Sequence, residues 1–171
     1  MVNDSPWEGR RNVRQSLRNG ANCIKIAATG GVTDARSLGE AGRPQLTEEE
    51  MAAICDEAHE AGVIVAAHAQ GEIGVPEAQK AGVDTIEHGC PLTPEMVELF
   101  KNNPRSLRGY SALVPTLIPA LPPSTLDTEV TKVNDVVKQN GIAIFENMLD
   151  GLRTAVAEGV VIGTGTDSAC T

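Results

Sequence analysis

Three stretches of the sequence follow one plan: "EAGVIVAAH" (60–68), "KAGVDTIEH" (80–88) and "AEGVVIGTGTD" (157–167). Each closes a helical pattern on a glycine, runs through a few apolar residues, and ends on His68, His88 or Asp167. Glycine after a helix supplies the left-handed stop that other residues adopt at a cost. Short continuous apolar runs, unlike alternating ones, indicate strands buried on both faces. Repeated helix-to-strand passages of this kind give a parallel sheet with helices outside it, joined by right-handed crossovers. The fold class is therefore α/β. In such sheets ligands bind at the carboxyl ends of the strands, where these three residues stand.

The pattern predicts helices over 7–19, 46–62, 73–82 and 93–103. A longer helical region over 128–158 is expected to break near Asn140 and Gly141. Strands are expected over 22–28, 63–69, 83–89, 110–118 and 160–168. The second helix is clearly punctuated: Thr47 is an N-cap, Glu50 completes a capping box, and Gly62 is the stop. Thr93 caps the fourth helix, with Pro94 at its first position. "TGGVTDARSLGEAGRP" (29–44) reads as a polar, glycine-rich loop and "PALPPSTLD" (119–127) as a proline-rich loop.

The chain of 171 residues suits one domain with a real core. Its net charge of -9 argues against a nucleic-acid partner, because that affinity comes largely from Lys and Arg. No apolar run approaches the ~20 residues of a membrane span, and the charged N-terminal stretch does not read as a signal peptide. Cys23, Cys55, Cys90 and Cys170 are widely spaced with no CxxC pair, which argues against a zinc ribbon or a thioredoxin-type site. They read as reduced thiols of a cytoplasmic protein.

Four ionisable residues converge on one rim in this reading. His68, His88 and Asp167 end strands, and Lys25 lies within the first strand ahead of Gly30 and Gly31. Two neutral imidazoles and a carboxylate are common ligands of a catalytic zinc ion, which acidifies bound water and polarises a carbonyl. Blander roles compete: a hydrogen-bonded core histidine, an aspartate capping a turn, or a lysine snorkelling from a sheet edge. His59, late in a helix among charges, reads as structural. Glu48, Glu49 and Glu50 read as a solvated first helical turn. Gly30 and Gly31 lack a phosphate-loop context and read as loop flexibility near a substrate.

"IKIAATGG", "AAHAQG", "TIEHG", "LVPTL" and "GTDS", in this order and spacing, resemble the amidohydrolase superfamily. The branch they look most like is that of imidazolonepropionase-related and Xaa-Pro dipeptidase (prolidase)-like enzymes. The resemblance covers nearly the whole chain. It implies a partial TIM (β/α)8 barrel holding strands four to eight, and one or two divalent metals, usually zinc. It further implies that Lys25 is the strand-four lysine, carboxylated to bridge two metals. His68 and His88 would be the strand-five and strand-six ligands. Asp167 would be the strand-eight ligand and catalytic proton shuttle.

Barrels of that superfamily begin with an HxH pair, and the three histidines here, His59, His68 and His88, form none. Strands one to three, the last barrel helix and a small β domain are likewise without counterparts, so residues 1–171 are expected to be one partial barrel domain. Three functions follow as expectations. The first is metal-dependent hydrolysis of an amide, in a dipeptide or an N-acyl amino acid. The second is a catalytically silent fragment that forms homo-oligomers to cover open sheet edges. The third is cleavage of a cyclic amide, as in imidazolonepropionase. A flavodoxin-like domain would explain the strand-helix rhythm but not the ionisable strand ends.

Overall fold

The computed structural model describes residues 1–167; Ser168 and Cys170 lie outside the described residues. Four parallel strands form one sheet in sequential order: β1 (Ile24–Ala27), β2 (Val65–Gln70), β3 (Thr85–Gly89) and β4 (Ala112–Val114). Helices α1 (Pro6–Arg18), α2 (Glu48–Glu60), α3 (Gly74–Ala81) and α4 (Pro94–Lys101) alternate with them, and each packs against the next. After β4 come α5 (Leu117–Thr125), the short α6 (Thr128–Thr131) and α7 (Asp135–Glu158).

The core lies between the sheet and the first four helices. Ile26, Ala67, Ile86 and Leu113 stand side by side across the four strands and meet Met51, Ile54, Val75 and Phe100. Each fully buried Met, Ile or Phe contributes roughly 1.5–3 kcal/mol. The capping box on α2 is formed, with Thr47 accepting from the Glu50 N–H and the Glu50 carboxylate accepting from the Thr47 N–H. Such a cap contributes about 1 kcal/mol. Gly82 takes φ 101 at the end of α3, as its place after the helix requires.

At the start of β3, Asp84 ties several elements together. Its buried carboxylate accepts from the Val65 N–H at 2.8 Å and the Leu107 N–H at 2.7 Å. His59 Nε2, at the end of α2, lies 2.8 Å from the same carboxylate. His59 therefore serves the end of the sheet opposite the carboxyl ends of the strands.

Three expectations are corrected. The proline-rich segment is helical, not a loop. Pro119 falls in the first turn of α5, where an N–H has no helical partner in any case. The Ser124 and Thr125 hydroxyls donate to Leu121 O, and α5 packs along α7, which supplies the support its own propensity lacks. Second, α7 runs unbroken through Asn140 and Gly141. The interruption comes earlier, at Lys132 with φ 59, and Asn134 caps the new helix by accepting from the Val137 N–H. Third, the fifth strand is reduced to one parallel bridge, Leu113 with Ile162. β4 is only three residues long, ended by Pro115, and Gly163 and Gly165 favour strand poorly. Among the described residues no helix is long and apolar enough to cross a membrane.

Candidate functional site

The side chains at the carboxyl ends of the strands line a cleft of about 540 Å³. Lys25, His68, His88 and Asp167 all border it, as do Asp34 from the β1–α2 loop and Thr116 beyond β4. The four residues singled out by the sequence thus share one cavity.

Strand register explains how each arrives there. Ala27 pairs with His68, and His68 pairs with Glu87, so these share the sheet face on which Lys25 also stands. His88 pairs instead with Ala69, a fully buried residue of the helix-facing side. Alternation alone would send His88 into the core. Its backbone, however, is left-handed at φ 77, which breaks the alternation and brings the ring into the cleft. A non-glycine residue held there costs about 1–3 kcal/mol, a strain met chiefly at functional sites. Asp167 is left-handed too, at φ 49.

The two imidazoles meet edge-on, with ring centroids 4.3 Å apart. His88 is 7% exposed and shares a hydrogen bond between Nδ1 and the Thr116 hydroxyl. His68 is half-buried, with Nε2 3.4 Å from Gly30 O. Burial, helped by the neighbouring His68 and Lys25 charges, pushes His88 down to about 3. Burial also lowers His68, opposed by its contact with Gly30 O. Both rings are therefore neutral at pH 7, the form that ligates metal.

Lys25 forms an ion pair with Glu87, which stands beyond β2 on β3. Burial lowers the Lys25 ammonium below its ordinary range, and Asp167 pulls it partway back. The Lys25 side chain is 48% exposed, so this lowering is screened by solvent. Asp167 itself is exposed.

The donor chemistry suits a divalent metal in part. Two neutral imidazoles face each other, with an amine and a carboxylate on the same cavity wall. Among the described residues, no group of three or more His, Cys, Asp or Glu side chains comes together to hold an ion. Among the described residues of the cleft, His68 and His88 are two donor side chains that stand close together.

Sequence reasoning did not foresee Glu87 as the partner of Lys25 or Thr116 as the partner of His88. Glu87 carried a signal: it lies one residue before His88 and so on the opposite strand face. Thr116 carried none beyond its place after a strand.

Residues 2–170 match the amidohydrolase family. A Bifidobacterium longum protein provisionally assigned as a prolidase is 48% identical in its crystal structure, with a TM-score of 0.92 over 100% of this chain and 40% of that one. A Xaa-Pro dipeptidase crystallised with methionine in its active site is 34% identical, with a TM-score of 0.79 over 98% of this chain and 39% of that one. Ochratoxinase from Aspergillus niger is 29% identical over 168 residues, 98% of this chain. The chain spans 33% of the length of ochratoxinase, and about two fifths of those two solved structures. A sheet of parallel strands with outer helices, a histidine pair at its carboxyl ends and a match along nearly every residue agree on one conclusion: this chain is part of a TIM-type barrel and belongs to the amidohydrolase family.

Proposed function

We propose that the protein hydrolyses an amide bond, in a dipeptide of Xaa-Pro type or an N-acyl amino acid, with a divalent metal such as zinc. The observation that carries this reading is the approach of neutral His68 and His88 in one cleft, bordered by Lys25 and Asp167. These four residues would hold the metal, with Lys25 contributing as a carbamate. When bound, the metal supplies acidified water and polarises the substrate carbonyl.

The chain's own groups divide the remaining work. Burial lowers the Lys25 ammonium while the Glu87 carboxylate beside it favours the charged form; only the neutral amine adds carbon dioxide, so the ion pair must open first. In that addition the nitrogen lone pair forms the N–C bond, one C=O π bond of carbon dioxide opens to leave a carboxylate, and the amine proton passes to solvent. The Thr116 hydroxyl shares a hydrogen bond with His88 Nδ1, which orients the ring and leaves Nε2 for the ligand. Asp167, at the exposed edge of the cleft, would take a proton from the attacking water and return it to the departing amine.

The test is hydrolysis of Xaa-Pro dipeptides and N-acyl amino acids by the full-length protein, assayed with zinc. Asp167→Asn is expected to abolish turnover while zinc remains bound. Full turnover in that variant would overturn the role given to Asp167, and absence of any divalent metal from the active protein would overturn the metal reading.

A further inference from the structure

A loop forms part of the wall of the cleft. Residues 31–34, in the long loop between β1 and α2, line it beside His68. A Cβ added at Gly31 would stand 3.4 Å from His68 Cε1, and Gly30 O lies 3.4 Å from His68 Nε2. Where this loop sits therefore decides how much room His68 and anything it binds will have.

The loop is held in three places. Its two ends are zipped together: Gly30 N–H donates to Arg43 O, Gly42 N–H to Gly30 O, and Gln45 N–H to Ala28 O. Its tip is wound around the Glu40 carboxylate, which accepts from the Arg36 and Ser37 N–H groups at 2.6 and 3.0 Å. These two bonds hold Glu40 below the usual carboxylate range. The third restraint comes from far along the chain. Asn140, buried at 5% exposure in α7, accepts from the Gly39 N–H and donates to Ser37 O, both at 3.0 Å.

Asn140 costs α7 something. Asparagine is a weak helix former, and a fully apolar residue would suit a buried helical position better. Both ends of its amide are nonetheless engaged, with Nδ2 also donating to Val136 O inside the helix. Asn147, two turns on along the same helix, lines the same groove between loop and helix, and among the described residues no side-chain bond joins it to the loop.

We propose that Asn140 is a positioning residue: it latches the tip of the β1–α2 loop to α7, and so sets residues 31–34 against His68. Its relevance to chemistry rests on reading His68 as a site residue. Its test needs no turnover, so failure of the hydrolase reading and failure of the latch are separately visible.

The measurement is NMR of the metal-free chain, following amide exchange at Gly39 and the Cε1–H signal of His68. Asn140→Ala removes both bonds and keeps a good helix former. Exchange at Gly39 is expected to rise roughly tenfold, as for one lost hydrogen bond, and the His68 signal is expected to move. Asn140→Leu, which retains the bulk, is expected to do the same. Asn147→Ala, the matched change without a loop bond, is expected to do neither. An unmoved His68 signal in both Asn140 variants would overturn the proposal, as would an equal movement in Asn147→Ala.

Discussion

Asp84→Asn and Asp84→Ala should both destabilise the protein, alanine more than asparagine. The Asp84 carboxylate is 5% exposed and accepts from two backbone N–H groups, one of them on the fully buried Val65. A hydrogen bond to a charged group contributes about 1.5–3 kcal/mol, and an N–H left buried without a partner costs about 1–3 kcal/mol. Alanine forfeits both bonds, for a loss of about 3–5 kcal/mol. Asparagine is nearly isosteric but has one acceptor. Its NH2 end must then face the Val65 or the Leu107 N–H, donor against donor, so it recovers at most one of those two bonds. Its expected cost is about 2–4 kcal/mol. His59→Ala leaves both N–H bonds in place and should cost less than Asp84→Ala, about 1.5–3 kcal/mol for the one bond lost. Against a total of about 5–15 kcal/mol, the Asp84 changes will move a urea midpoint far. Urea unfolding followed by circular dichroism at pH 7 reads all three variants. If Asp84→Asn is as stable as the parent, or if His59→Ala costs as much as Asp84→Ala, the two N–H bonds are not what the carboxylate is for.

The remaining predictions concern the cleft and α7. Unfolded His88 takes up its proton near 6.5 and folded His88 only near about 3, so the unfolded metal-free chain binds more protons in between. The His88 contribution is therefore fully present above pH ~6.5 and is lost as pH falls toward ~3. His88→Asn, which tolerates the left-handed backbone, should lose about 2–3 kcal/mol less than the parent on going from pH 7 to pH 4.5. Parallel urea titrations at the two pH values measure this, and equal losses would refute it. Gly151→Ala in α7 should lower the melting temperature, because the new Cβ would lie 2.0 Å from Cys90 O, a backbone atom that cannot turn aside. Overpacking of this kind costs about 1–3 kcal/mol or more and outweighs the ~1 kcal/mol gained in helix propensity; a higher melting temperature would sink the argument.

What the sequence disclosed divides by the range of the forces involved. The cap of α2 was legible because Thr47 and Glu50 satisfy each other's N–H groups within three residues. Strands β2 and β3 were legible because each follows a helix-ending glycine, Gly62 or Gly82, and lies in a short, largely apolar run. The helical α5 was not, since its prolines argue against helix locally and its support comes from α7. Asn140 suggested a break for the same reason: propensity records what the side chain costs its helix, not the loop it holds 101 residues away.

The cleft shows the boundary most sharply at Glu87 and His88. Strict alternation allows one member of that pair on the Lys25 face, and register assigns it to Glu87. Both reach the site because His88 is left-handed: Glu87 pairs with Lys25 while the His88 ring meets His68 edge-on. One strand thereby delivers an anion and an imidazole from consecutive residues. The identity of the residues was in the sequence from the start. Their convergence depends on a single backbone angle, held by burial and by the Thr116 hydroxyl. Thr116→Val would remove that hydroxyl at nearly constant volume, so any freeing of the His88 ring that follows must come from the lost hydrogen bond and not from lost packing.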